Sequence, residues 1–156
     1  MNITKYKEIS DKDIFKNHTA IRIMHLSDLM YGRNNLPNRT ASSLLYFNLV
    51  EYFLVSIVKL IPLSIDENKF IKQPLGGKIS TLKRVNFNYK EELIEILKKI
   101  NHYRIKIVHN MVDSVADKQM DKLIIEVKKL FDDFKLILCS ILRISKRDYD
   151  ERVPKL

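Results

Sequence analysis

The stretch ASSLLYFNLVEYFLVSIVKLI, residues 41–61, limits what this chain can fold into more than any other. An apolar run of that length is stable only in a bilayer or with protein on several sides. Glu51 in its middle and Lys59 near its end place charges where hydrocarbon penalises them heavily. The run therefore predicts a central helix from about Thr40 to Ile61, covered by protein rather than lipid and stopped at Pro62. No membrane partner is expected.

A central helix needs others to cover it. Only three glycines and four prolines punctuate 156 residues. With Leu, Ile and Lys abundant, that scarcity favours helices over tight turns. Residues 11–31 carry Ile14, Phe15, Ile21, Leu26 and Leu29 at roughly helical spacing. His18 and His25 fall on the same stripe, roughly 10 Å apart on a helix and too far to share a metal. They read as hydrogen-bonded core histidines. GRNNLPN, residues 32–38, breaks the chain before the central helix.

From residue 62 to residue 87 the period fails, with turn signals at Pro74 and Gly76-Gly77. A connection this long inside a compact domain is uncommon and often functional. GGKIST, residues 76–81, resembles a phosphate loop only superficially: the Walker spacing is missing and no apolar strand precedes it. The segment reads as a solvated loop with room for a short hairpin.

The third helix opens with Asn88 as a cap and Glu91 in capping-box position. Its stripe runs through Leu93, Ile96, Leu97, Ile100, Ile107 and Met111. A fourth begins near Ser114–Asp117 and carries Met120, Leu123, Ile124, Val127, Phe131, Phe134, Leu138, Ile141 and Leu142. The polar tail SKRDYDERVPKL contains Pro154, unfit for a helix interior. The expected fold is all-α: a four- to five-helix antiparallel bundle forming one domain over residues 1–156, with a long loop between the second and third main helices.

Lys and Arg number 28 against 19 acids, a formal charge of +9 that biases the surface towards phosphate-bearing partners. Cys139, the single cysteine, lies in an apolar helical run, which excludes a disulfide framework and predicts a buried, reduced thiol. The start, MNITKYKEISDKDIF, lacks the apolar core of a signal peptide. Together these features predict a cytoplasmic protein.

The chemistry concentrates in HYRIKIVHN, residues 102–110. Arg104 lies near the centre of the third helix's apolar stripe, where an unpaired guanidinium would be very costly to bury. It must pair with an acid, pack its stem and extend its head to water, or face a cleft or second subunit. Glu51, stranded in the most apolar helix, is the acid to propose. His109 is rotated about 140° from Arg104 on an ideal helix, so convergence needs a bend or two copies of the segment. Neither His102 with His109 nor any carboxylate gives metal-chelating spacing, and no nucleophile-elbow glycines support a serine triad. A cation and a general acid/base remain, the parts needed to cut a phosphodiester without metal.

In YRIKIVHN, the residues Arg104, Val108, His109 and Asn110 follow a pattern of Arg, four to six residues, then His-Asn, placed before a long final helix. This resembles the signature of the HEPN-domain family, and the helical architecture over roughly residues 10–145 resembles that family's as well. The resemblance implies a metal-independent endoribonuclease acting on single-stranded RNA, with the active site at a homodimer interface. Arg104 and His109 would be catalytic there, Lys106 and Asn110 would bind RNA, and no cofactor or metal would be needed. It further implies a toxin–antitoxin or phage-defence setting with an antitoxin or other neutralising protein as partner. Ile105, where many catalytic members carry a polar residue, keeps open the alternative of a non-catalytic HEPN module that binds RNA, nucleotide or a protein. A plain helical interaction protein is the third reading.

Overall fold

The structure is a computed structural model that describes residues 18–61, 63–112 and 117–142. Among these residues it contains six helices and no strand: α1 (His18–Gly32), α2 (Leu36–Leu60), α3 (Glu67–Lys72), α4 (Leu75–Lys83), α5 (Lys90–Val112) and α6 (Asp117–Leu142). The expected all-α class holds. The first-helix residues 11–17, the cap at Ser114 and the polar tail lie outside the described residues.

The central helix is longer than its apolar run. Asn35 caps it, its side chain accepting from the Asn38 amide at 3.0 Å, and Pro37 occupies the first turn, where a missing N–H costs nothing. By length and composition α2 could cross a membrane, yet 56% of its most apolar window is buried inside the protein. It packs against α1, α3, α5 and α6, while α5 packs against α4 and α6. Tyr46 and Phe53 of α2 meet Phe131 and Phe134 of α6, with Tyr46–Phe131 centroids 4.6 Å apart and Phe53–Phe134 centroids 6.4 Å apart. Each such ring, once fully buried, contributes about 1.5–3 kcal/mol relative to exposure.

Polar links fix the helices around that core. Arg39 of α2 bonds Asp121 of α6 at 2.6 Å, and the Tyr46 hydroxyl donates to Asp28 of α1 at 2.5 Å. Burial, and then the bond to Asp28, hold the Tyr46 proton in place well above the usual tyrosine range.

Two expectations for α1 are overturned. Leu26 and Leu29 are exposed, and the buried face is instead Ala20, Met24 and Ser27. Those residues sit three and four positions apart, so the helix is rolled relative to the stripe that counting large apolar residues suggests. His25 is half-buried, but its Nε2 is enclosed without a hydrogen-bond partner among the described residues, which do not satisfy it as a core histidine.

The connection from 62 to 87 is also corrected. It holds two helices rather than a solvated loop. Asp66 caps α3, accepting from the Lys69 amide at 3.2 Å, and Gln73-Pro74 turns the chain into α4. Phe70, Leu75, Ile79 and Leu82 are buried. Leu75, Ile79 and Leu82 stand at i, i+4 and i+7, a short helical period that the flanking Gly and Pro residues obscure. At the start of α5 the cap moves one residue beyond the expected Asn88. The Leu93 amide bonds the Tyr89 carbonyl at 3.0 Å, and Tyr89 adopts φ 62°, a left-handed conformation uncommon for an aromatic residue.

Candidate functional site

The site is built on the second half of α5. Leu93, Leu97 and Ile100 bury their shared face completely. The same face continues through Arg104, Val108 and Met111, but the described residues stop covering it there. Ile105, Val108 and Met111 are 49%, 47% and 51% exposed, while Ile107, turned towards the core, is fully buried. Met111 is therefore not the core residue its spacing implies. The helix ends in an apolar face that no described residue covers.

Arg104 sits at the edge of that face with its side chain 38% exposed. Its Nη1 lies 3.8 Å from Glu51 Oε1, so the acid nominated from sequence is its partner, though at a loose distance. The other Glu51 oxygen, Oε2, is 3.2 Å from Lys78 Nζ. Lys78 lies on the inner face of α4 and is 2% exposed. Its ammonium also donates to the carbonyl of Ile71 at 3.3 Å and to that of Gln73, and stands 5.8 Å from the Phe70 ring centroid. A buried ammonium is stable only when so surrounded. Two cations thus share one carboxylate.

His109 and Lys106 are exposed and Asn110 is half-buried. Among the described residues, no hydrogen bond or ion pair joins His109 to Arg104. Five residues of helix separate the two by about 140°. A single chain leaves the candidate pair on different sides of α5.

The outer side of α5 is basic. Lys98, Lys99 and His102 line a cleft of about 510 Å³ together with Tyr103 and, from α6, Lys129. Glu126 and Asp133 also border it. His102 and Tyr103 pack edge to face at 5.7 Å. At the cleft's edge Lys99 bonds Glu95, one turn earlier, at 2.9 Å, which lowers the Glu95 carboxyl and raises the Lys99 ammonium. Among the described residues, no three His, Cys, Asp or Glu side chains gather as a metal site.

Compared with known families, with curated proteins and with solved structures, the chain finds no match in any of the three. The residue missed in the sequence is Lys78. It falls on the inner face of the Leu75, Ile79, Leu82 period, but the two glycines beside it mask that period in the sequence.

Proposed function

We propose that this chain is a HEPN-type endoribonuclease that cuts single-stranded RNA without metal, from a composite site formed where two copies of α5 meet. Arg104 grips the scissile phosphate and offsets its developing negative charge. His109 takes the proton from the ribose 2′-hydroxyl or delivers one to the departing 5′-oxygen. Attack by the 2′-oxygen on phosphorus then leaves a 2′,3′-cyclic phosphate on one product and a 5′-hydroxyl on the other. Lys106 and Asn110 flank the histidine and hold the RNA backbone, and the basic cleft beside His102 extends that surface. A neutralising protein in a toxin–antitoxin or phage-defence setting would act by covering this end of α5.

The observation that carries the reading is that Arg104 and His109 both reach solvent at one end of α5, beside an apolar face that the described residues leave open. A second copy placed there covers Val108 and Met111 and supplies the convergence that one helix denies. The alternative, a non-catalytic HEPN module binding RNA, nucleotide or a protein, is favoured by exposed, apolar Ile105 directly after Arg104.

The test is wild type beside His109→Ala, purified identically, on one labelled single-stranded RNA in excess EDTA. Wild type should yield cyclic-phosphate or 3′-phosphate ends with 5′-hydroxyl partners and leave DNA intact. Equal cleavage by both proteins would reveal a contaminating nuclease and make the binding module the better reading.

A further inference from the structure

We propose that Lys78 is a positioning residue for Arg104, acting through Glu51. The inference rests on the reading of Arg104 as the group that grips an RNA phosphate. A carboxylate facing Arg104 alone would close a neutral pair, fixing the guanidinium but leaving it little net charge with which to draw in a phosphodiester. Here the carboxylate is divided. Its contact with Lys78, 3.2 Å, is closer than its contact with Arg104, 3.8 Å, so its charge is weighted towards the buried ammonium.

Lys78 is also held independently of Glu51. Its Nζ bonds the carbonyls of Ile71 and Gln73, at the C-terminal end of α3, where unpaired carbonyls attract a cation. The three side chains carry two positive charges and one negative. Of the two cations only Arg104 reaches solvent, at 38%, beside Glu51 at 33%, while Lys78 is sealed at 2%. Glu51 thus aims the guanidinium, and Lys78 keeps that aim from becoming neutralisation. An incoming phosphate finds Arg104 oriented and still cationic.

The test measures binding of a fluorescein-labelled 2′-O-methyl oligouridylate, which offers phosphates but no free 2′-hydroxyl for cleavage. It compares wild type with Arg104→Ala, Lys78→Met, Glu51→Gln and the Glu51→Gln/Lys78→Met double variant, with a melting curve for each. Lys78→Met should weaken binding by about two- to fivefold, the weight of an exposed ion pair, because Arg104 then closes on Glu51. Glu51→Gln should tighten it by a similar factor, and the double variant should bind like Glu51→Gln, because without the carboxylate Lys78 has nothing to act through. A purely structural lysine predicts the opposite, since the double variant lacks the same bonds to α3 and should bind no better than Lys78→Met. A folded Lys78→Met that binds like wild type, or a double variant that does not bind like Glu51→Gln, overturns the inference. If Lys78→Met does not fold, Glu51→Gln decides: tighter binding supports the inference, unchanged or weaker binding overturns it. Should Arg104→Ala bind as well as wild type, the phosphate-gripping role of Arg104 falls and this inference with it. A weakened Arg104→Ala beside an indifferent Lys78→Met removes the inference alone.

Discussion

Lys78 Nζ lies 3.2 Å from Glu51 Oε2, joining the inner face of α4 to the midpoint of the most apolar helix. That contact gives the acid of α2, set among Leu54, Val50 and Phe53, a cation partner. Lys78→Ala leaves Glu51 with one distant cation and strips the carbonyls at the end of α3 of a donor. It should cost about 2–4 kcal/mol, less than the upper range for a fully buried pair because Glu51 is one-third exposed. Urea denaturation measures this, and an unchanged midpoint would mean that Lys78 is solvated.

Leu82, fully buried in α4, probes the rest of that segment. Leu82→Ala should destabilise the protein by about 2–5 kcal/mol. Were residues 62–87 a surface loop, the same change would stay within roughly 0.5 kcal/mol.

The open apolar face predicts self-association. Light scattering at micromolar concentration should give a dimer, and Val108→Asp should return it to a folded monomer whose melting temperature falls only by what the dimer contributes, because Val108 contributes little to the core of one chain. A wild type that is monomeric at that concentration counts heavily against a composite site.

His109 and Arg104 should separate chemistry from stability. His109 is exposed, so His109→Ala should remove cleavage and shift stability by no more than about 0.5 kcal/mol. Arg104→Ala should also remove cleavage and weaken the dimer. Lys106→Ala and Asn110→Ala should raise KM more than they lower kcat, since neither is placed to move a proton.

Acid sensitivity should trace in part to Asp132. Burial would raise its carboxyl, but the hydrogen bond from Lys128, at 2.8 Å, and the charges of Lys135 and Lys128 outweigh it and hold the group below its ordinary value of 3.8. A carboxyl depressed in the folded state stabilises fully above its unfolded value and loses that contribution as pH falls through the folded value. Asp132→Asn should therefore lower stability at neutral pH and flatten its decline below pH ~4. An acid limb identical to wild type would place the effect elsewhere.

The sequence by itself determined the helical class, the position of α2 and almost all of the core stripe of α6, because long apolar runs and 3.6-residue periods are local properties of the chain. It also nominated Glu51 as the partner of Arg104, since a charge in an apolar helix must find its opposite. Tertiary structure decided what depends on which neighbour reaches how far. Leu26, Leu29 and Met111 fit their stripes but face outward, because the roll of α1 and the last turns of α5 are fixed by packing between helices, not by spacing along one. The segment from 62 to 87 became two helices because burial of Phe70, Leu75 and Leu82 outweighed the weak local preference of a stretch interrupted by Gly and Pro. Lys78 shows the same division. Its place on a short helical face was written in the chain, but only the approach of α4 to α2 gave that ammonium a carboxylate to share with Arg104.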